Sequence, residues 1–568
     1  MTHHRRRQTR RQFLTHTAGA AVSIYGLWGR PRAAASVFPQ PGVGPVPTTV
    51  SKLTVAVDGW GRDDLNPVQT LGAAFLPDYF NLLLLMRDEN HTIVSGLLSE
   101  WHLSDEGFKA TLHPKATWQD GTPITAEDIK WNYEAQRGDF APQFKGHISA
   151  ARFREQIAEI EVLDSKHIFI RTKNPVPDFI AFYTGAGYHQ VHIGPAHYLR
   201  KVGVEEYEKK PMGGGPYLVK EWQPGERMVF KRWDDFWSDS AWYHKPQHET
   251  LEMLRVTDAA SRFALLKSKQ VDVAVNIPYA VAKDLPRSEA FGQRGVNPNK
   301  GGPWTQTITA TGNYNLVFVN LQAIKDAHSK PAPEELKPFD DIRVREAMEL
   351  ALDKATISAK AHFGFSKPMA SLWFTGSFGH RPERQVSPYD PARAKQLLQE
   401  AGYPNGFSTA IYYGPFVNSP GIREWLEAAA SYWKAVGINV ELFEIETADF
   451  YRRIRPPERK WRPLAVQTWG RQEHAGVLVN YGYHTTGSYN CCWDERTNEL
   501  WQKMNTTTAE AVPLQALAEL EDHVLQQRWM IPMAEVSMVI GYADRVLAHP
   551  TAPHAAAFEQ LWRIVVRQ

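Results

Sequence analysis

The chain has 568 residues, with 64 Lys and Arg against 62 Asp and Glu, a formal charge of +2 and 43% hydrophobic residues. This balance argues against a dedicated nucleic-acid-binding protein, which needs a basic excess to neutralise phosphates. The length predicts a large core and at least two lobes.

Residues 1–35 have the composition of an export signal. They contain seven Arg and no Asp, Glu or Lys. The apolar run Ala18–Trp28 is too short to span a bilayer, and Ala33 to Ala35 offer a small-residue cleavage site. Thr9–Leu14 resembles the twin-arginine consensus, so we expect export of the folded chain by the Tat translocase, cleavage near Ala35 and a soluble periplasmic protein. Without these residues the formal charge falls to about −5.

Short β-branched and apolar runs predict strands along the rest of the chain, after a proline-rich linker at 36–49. The predicted strands are Leu53–Val57, Phe108–His113, His167–Thr172, Arg227–Arg232 and Leu251–Val256.

Helix start signals lie between and after these strands. Thr125 with Asp128 forms a capping box, Asp341 precedes an apolar stripe of helical spacing, and Asp390 with Pro391 precedes another that ends before Gly402. Strands mixed with helices over the whole length predict an α/β fold.

Motifs for catalysis, cofactors and metals are scarce. The sequence has no P-loop, dinucleotide fingerprint or zinc-protease motif, and Thr375–Gly379 lacks the first glycine of a nucleophile elbow. His189, His192 and His197 are spaced as in a loop and more often serve structure than metal binding. Gly213–Gly215 precede Pro216, which removes a backbone donor, so a turn packed against backbone is favoured over a phosphate site. We expect no enzyme activity, no cofactor and no metal.

The two cysteines, Cys491 and Cys492, are adjacent. In an oxidising compartment such a pair is either two thiols or a vicinal disulfide. A long-range disulfide within the chain is excluded.

Several blocks, in collinear order over about residues 50–550, resemble the family 5 extracellular solute-binding proteins, which are the dipeptide, oligopeptide and nickel receptors of ABC importers. The blocks are Gly96–Trp101, Ser104–Gly107, Trp118–Asp128, Gly215–Tyr217, Glu221–Gly225, Asp235–Trp237, Phe339–Lys354 and Tyr389–Pro404.

This resemblance implies the type II periplasmic-binding-protein fold of the large, cluster C type. Lobe I would comprise 50–85, 205–305 and 531–568, with an extra subdomain at 86–204, and lobe II would comprise 306–530. A solute held between the lobes is delivered to a membrane permease driven by an ATPase. We expect a monomer that performs no chemistry and binds no nucleic acid.

The family resemblance also places the ligand contacts. Peptide receptors follow a Trp-containing strand with an Asp for the peptide amino terminus; here Trp469 is followed by Gln472 at that position, or by Glu473 after a slip of one. The arginine that dipeptide receptors use for the peptide carboxylate is absent from the loop 412–419. We therefore expect a peptide or another small polar solute, with a short oligosaccharide as the alternative.

Aromatic faces suit either class of ligand. The aromatic candidates are Trp60, Tyr412, Phe416 and Trp469. Arg471 pairs either with a ligand carboxylate or with Glu473, and a Cys491–Cys492 disulfide would form an apolar platform. A secreted hydrolase is the competing class of function.

Overall fold

The computed structural model describes residues 49–60, 63–68, 76–88, 92–147, 149–186, 191–238, 240, 242–289, 295–296, 302–318, 334–414, 420–446, 449–450, 464–487, 489, 492–550 and 560–567. The predicted signal at 1–35 and nearly all of the linker lie outside these ranges.

The strands, in chain order, are β1 (Val50–Val57), β2 (Leu85–Arg87), β3 (Ile93–Ser95), β4 (Leu98–Ser104), β5 (Gly107–Leu112), β6 (Ile157–Val162), β7 (His167–Thr172), β8 (Tyr217–Gln223), β9 (Arg227–Arg232), β10 (His248–Arg255), β11 (Val273–Ala274), β12 (Arg287–Glu289), β13 (Gly295–Val296), β14 (Trp304–Phe318), β15 (Ser366–Pro368), β16 (Phe407–Tyr413), β17 (Ile438–Glu444), β18 (Leu464–Gly470), β19 (Met530–Tyr542), β20 (Val546–His549) and β21 (Val565–Val566).

The α-helices are α1 (Ala126–Arg137), α2 (Ala150–Gln156), α3 (Phe179–Tyr183), α4 (Ala196–Lys209), α5 (Ala259–Lys267), α6 (Tyr279–Ala282), α7 (Ile342–Leu350), α8 (Lys354–Ala361), α9 (Pro391–Glu400), α10 (Ile422–Ala435), α11 (Ala475–Gly482), α12 (Glu495–Met504) and α13 (Ala511–Gln526). Short 3-10 helices cover Leu76–Tyr79, Glu334–Asp340 and Leu561–Arg563.

One large mixed sheet runs through the molecule. Its strand order is β17-β16-β18-β14-β19-β11-β1-β10-β9-β8, with β12 on β14 and β15 on β19. Strands of the predicted lobe II lie at one end and strands of the predicted lobe I at the other. The long strands β14 and β19 pair antiparallel at the centre, so they join the two ends. The lobe boundaries themselves stay predictions.

The range of the predicted extra subdomain contains a separate antiparallel sheet. Its order is β4-β5-β7-β6, and α1 and α2 contact β6. Phe108 and Ile170 face each other across β5 and β7 and are fully buried. This apolar face anchors the small sheet to the main hydrophobic core, which also includes Leu53 and Trp469.

The local predictions agree with the structure. All five predicted strands fall on observed strands, and two of them, His167–Thr172 and Arg227–Arg232, match at both ends. Helix α1 begins where the capping box predicts, because the Asp128 carboxylate accepts from the backbone N–H of Thr125 at 2.9 Å. Asp341 and Asp390 likewise accept from the first turns of α7 and α9, each at 2.9 Å.

The glycine turn and the histidines also have structural roles. A Cβ on Gly213 would lie 1.7 Å from the carbonyl oxygen of Phe80, which confirms a turn packed against backbone. His192 bonds Asp78, whereas His197 bonds Asp120 at 2.7 Å. His189 lies outside the described residues, and within them no group of three or more His, Cys, Asp or Glu is arranged to hold a metal.

The described helices include none long and apolar enough to cross a membrane.

Buried histidines predict a loss of stability in mild acid. Burial lowers the pKa of His147 and of His248 from 6.5 to about 3. Since the unfolded chain takes up these protons near pH 6.5 and the native chain does not, stability is highest above pH 6.5 and falls below it by about 1.4 kcal/mol per pH unit for each such histidine.

Urea unfolding between pH 7.5 and 5 measures this slope. We expect His248→Gln to flatten the slope by roughly one proton relative to wild type, and His102→Gln, at an exposed position on β4, to leave it unchanged. Identical slopes in wild type and His248→Gln would contradict the assignment.

Candidate ligand-binding site

The predicted ligand contacts begin at the end of β18. Every residue of this strand is buried, and it pairs antiparallel with β14 and parallel with β16. The backbone N–H of Trp469 donates to the Asn313 side-chain oxygen on β14 at 3.1 Å. The end of β18 is therefore fixed against one of the two strands that join the lobes.

Trp469 belongs to a cluster of aromatic rings. It stacks on Tyr481 of α11, with centroids 6.2 Å apart, and meets Tyr489 edge to face at 5.0 Å. The side chain is 5% exposed. Its indole N–H is buried and has no hydrogen-bond partner among the described residues. These three buried rings, called the aromatic wall below, therefore include an indole N–H that is free to donate.

Arg471 and Glu473 form a buried ion pair. Nε of Arg471 lies 2.7 Å from Oε1 of Glu473, and Nη2 lies 3.4 Å from Oε2. Nη1 of Arg471 donates to the Thr375 carbonyl at 3.1 Å. Of the two roles that the sequence allows for Arg471, the structure forms the pair with Glu473.

Gln472, which the sequence predicts at the position of the family's carboxylate unless a slip of one places Glu473 there, is also buried, with 2% exposure. Its amide nitrogen donates to the carbonyl of Gly470 at 3.3 Å. The side chain therefore folds back on the end of its own strand, and no anionic group stands at this position.

His474, which the sequence analysis did not single out, starts α11. Its Nδ1 accepts from the backbone N–H of Gly476 at 3.0 Å, and its ring stacks on Phe378 with centroids 4.3 Å apart. Burial lowers the pKa of His474 to about 4, so the ring is neutral at pH 7. A histidine before a glycine-containing apolar run is the only sequence signal for this cap.

The segment Thr375–Gly379, which only partly matches a nucleophile elbow, packs beside this helix start. Ser377 is buried, and its hydroxyl donates to the carbonyl of Phe374 at 2.8 Å. The hydroxyl thus bonds a backbone carbonyl, which cannot act as a general base.

The predicted extra subdomain contributes side chains that sequence reasoning missed. Asp178 is fully buried and accepts from Nη2 of Arg152 at 2.6 Å and from the amide of Asn480 at 3.2 Å. Phe182 lies 6.3 Å from Tyr481, between ring centroids. The structure therefore brings the subdomain against the helix that carries the aromatic wall.

Two other predicted ligand contacts, Trp60 and Tyr412, pack against residues outside the Trp469 cluster. The Trp60 indole donates to Asp63 at 2.7 Å, and its ring lies 5.7 Å from Trp222. Tyr412 packs edge to face on Phe443 of the adjacent strand β17. These observations do not place Trp60 or Tyr412 in the Trp469 cluster.

Two predicted positions, Phe416 and Cys491, lie outside the described residues. Cys492 is buried, with its sulfur 3.8 Å from the Trp529 carbonyl. The vicinal disulfide stays a prediction.

Known proteins resemble this chain over most of its length. The profile of the bacterial extracellular solute-binding proteins, family 5, matches residues 92–486. The dipeptide-binding protein of Escherichia coli is 23% identical over 69% of this chain and 70% of its own length. The glutathione-binding protein GsiB of Salmonella typhimurium is 26% identical over 71% of this chain and 68% of its own.

Solved structures share the fold. A dipeptide-binding protein from a Pseudoalteromonas species, in complex with Met-Leu, superposes with a TM-score of 0.72 and 19% identity, covering 91% of this chain and 100% of its own. The fold predicted from the sequence, a large two-lobed α/β binding-protein fold, is confirmed.

Because Arg471 and Glu473 are buried as a pair, removing one of the two charges is expected to destabilise the fold more than removing both. Glu473→Gln leaves a buried guanidinium without its counter-ion, so we expect it to lower the free energy of unfolding by about 3 kcal/mol. Arg471→Gln combined with Glu473→Gln removes both charges and is expected to cost clearly less. Urea denaturation checks both variants. A double variant as unstable as Glu473→Gln alone would contradict the pairing.

Proposed function

The chain belongs to the family 5 bacterial extracellular solute-binding proteins, and on this premise we propose that it is the receptor of an ABC importer. It captures a peptide or another small polar solute between its two lobes and delivers it to the membrane permease and its ATPase. The proposed lobes are the ranges predicted from the sequence, with the extra subdomain at 86–204.

The observation that carries this proposal is the aromatic wall at Trp469. It stands beside β14, where we propose that the two lobes join, and its Tyr481 ring packs near Phe182 of the proposed extra subdomain. Aromatic rings with an unpartnered indole N–H suit a ligand that offers both an apolar group and a hydrogen-bond acceptor. Short peptides and small polar solutes have both.

The buried residues near this wall favour a ligand whose ammonium group, if it has one, is not bound by a carboxylate at the end of β18. Arg471 and Glu473 neutralise each other, and Gln472 offers an amide. An amide bonds an ammonium group more weakly than a carboxylate does. The names of the dipeptide-binding and glutathione-binding relatives support a peptide. A short oligosaccharide is the alternative that the neutral site favours.

The protein acts as a binding protein and as a monomer in this proposal. Membership of a family of binding proteins supports the absence of catalysis, as does the Ser377 hydroxyl, which bonds a carbonyl. Hydrolysis of peptides or glycosides with turnover by the purified protein would contradict it.

Native mass spectrometry of protein purified from the periplasm tests the ligand class. Binding proteins of this kind retain solute, so we expect a co-purified peptide or small polar solute that leaves on mild unfolding. Trp469→Ala is expected to weaken its binding by at least about 1 kcal/mol, a five-fold rise in Kd, because the stacked face is lost.

Tyr389→Ala is the matched control, since this exposed aromatic ring packs on Tyr432 at the surface. A series of hexose masses would replace the peptide proposal with the oligosaccharide alternative. An unchanged Kd in Trp469→Ala would remove Trp469 from the site.

We also propose that the Tat translocase exports the chain to the periplasm and that the signal is cleaved near Ala35. The twin arginines Arg10 and Arg11 and the apolar run after them support this route. Replacing both with Lys keeps the charge of the signal and should abolish export, leaving uncleaved precursor in the cytoplasm. Replacing Arg5 and Arg6 with Lys is the control and should leave export intact. Cell fractionation reads out both, and normal export of the Arg10 and Arg11 variant would refute the Tat route.

A further inference from the structure

The extra subdomain and lobe II meet through a buried polar contact. Asp178 precedes α3 in the subdomain, and Asn480 lies on α11 of lobe II, 302 residues away in the chain. Their side chains are 0% and 7% exposed. Both hydrogen bonds that the structure gives Asp178, from Arg152 and from Asn480, end on Oδ2, and Oδ1 is buried without a partner among the described residues. The loss of a further partner from a buried carboxylate is costly, so this contact is sensitive to the group at position 480.

The subdomain presents Asp178 as a charged acceptor. Nη2 of Arg152 holds it at 2.6 Å, Nε of Arg152 donates to Gln156 at 2.9 Å, and the guanidinium lies 3.9 Å from the centre of the Phe182 ring. Arg152 is thereby fixed on three sides. Because the Asp178 carboxylate accepts hydrogen bonds, a group that approaches it from lobe II must offer a donor.

Lobe II presents Asn480 as that donor, in a fixed orientation. Its side-chain oxygen accepts from the Trp501 indole at 2.9 Å, which forces the NH₂ group to the other side. The NH₂ group donates to the Gly476 carbonyl at 2.8 Å within α11 and to Asp178 at 3.2 Å. The amide is therefore set by lobe II alone and is ready for Asp178.

The same helix links this contact to the proposed ligand wall. Tyr481, the next residue, stacks on Trp469 and packs near Phe182 of the subdomain. At the outer edge of the interface, Asp105 accepts from the hydroxyl of Thr507 at 3.0 Å and from that of Thr508 at 2.8 Å. The subdomain thus contacts lobe II both beside the wall and at the surface.

We propose that Asn480 is a positioning residue for lobe closure, which donates to Asp178 and thereby makes the extra subdomain part of the clamp that holds the solute. The inference rests on the proposed function. It gives the extra subdomain at 86–204 a mechanical role. Closure of the lobes buries the Arg152–Asp178 pair against the side-chain amide of Asn480. A residue at position 480 that cannot donate a hydrogen bond therefore prevents full closure.

Asn480→Asp tests this inference with little change of shape. The Trp501 contact is kept, but a second carboxylate now faces Asp178 in a buried place, and like charges so placed cost several kcal/mol. We expect the co-purified solute to dissociate at least about tenfold faster than from wild type. We also expect faster amide hydrogen exchange in both α3 and α11, whether or not solute is bound.

Two further variants separate closure from general damage. Asn439→Asp adds the same charge at an exposed site of lobe II and should behave as wild type. Asn480→Ala removes the donor without adding charge and should give an intermediate rate.

The outcomes distinguish this inference from the proposed function. Wild type that retains no solute and binds no peptide contradicts the proposed function, and the exchange rates of α3 and α11 still test the contact in that case. Solute release and exchange in Asn480→Asp equal to those of Asn439→Asp would overturn the inference.

Discussion

The antiparallel pairing of β14 with β19 is the constraint on which the rest of the structure depends. Fully buried β19 lies between β14 and the short strand β11, so one continuous sheet passes from one lobe to the other. The register between the two strands shifts twice, after Ile308 and after Tyr314. Such irregularities bend and twist a strand locally. The aromatic wall at the end of β18 takes its position from β14, and therefore from this pairing.

Three buried ion pairs are formed within the described part of the chain. Arg471 pairs with Glu473, Arg152 with Asp178, and Lys354 with Glu349, each pair lying mostly out of solvent. Buried pairs contribute little net stability, because desolvation offsets their attraction, but a lone partner is costly. The recognition that we propose near Trp469 would consequently depend on shape, aromatic contact and neutral hydrogen bonds. The Arg152–Asp178 pair of the subdomain instead favours a neighbour that donates a hydrogen bond, as Asn480 does.

Sequence reasoning succeeded where the determinants are local. The capping residues Asp341 and Asp390 and the strand at His167–Thr172 were predictable because caps and side-chain alternation involve residues within a few positions. The collinear motifs identified the family and hence the fold. Arg471 and Glu473 lie two residues apart, so their pairing was one of two readings that the sequence offered.

The rest of the site depends on contacts between distant segments. Nothing near Asp178 in the sequence points to Asn480, 302 residues later, and Tyr481 reads as an ordinary apolar helix position until Trp469 is placed against it. Trp60 and Tyr412 were chosen for their residue type; Trp60 lies beside Trp222 and Tyr412 beside Phe443, and their contacts with a ligand stay predictions. The contacts of Phe416 and Cys491 stay predictions.

Helix α11 holds Asn480 and Tyr481 at consecutive positions. One residue meets the subdomain and the other supports the wall, and a helix keeps their relative directions fixed. Any repositioning of α11 that widens the wall for a bulkier solute therefore also moves the amide away from Asp178. In the proposed mechanism, ligand preference and clamp strength are therefore inherited together, and descendants of this protein that acquire a new ligand are expected to carry compensating changes in α2 or α3.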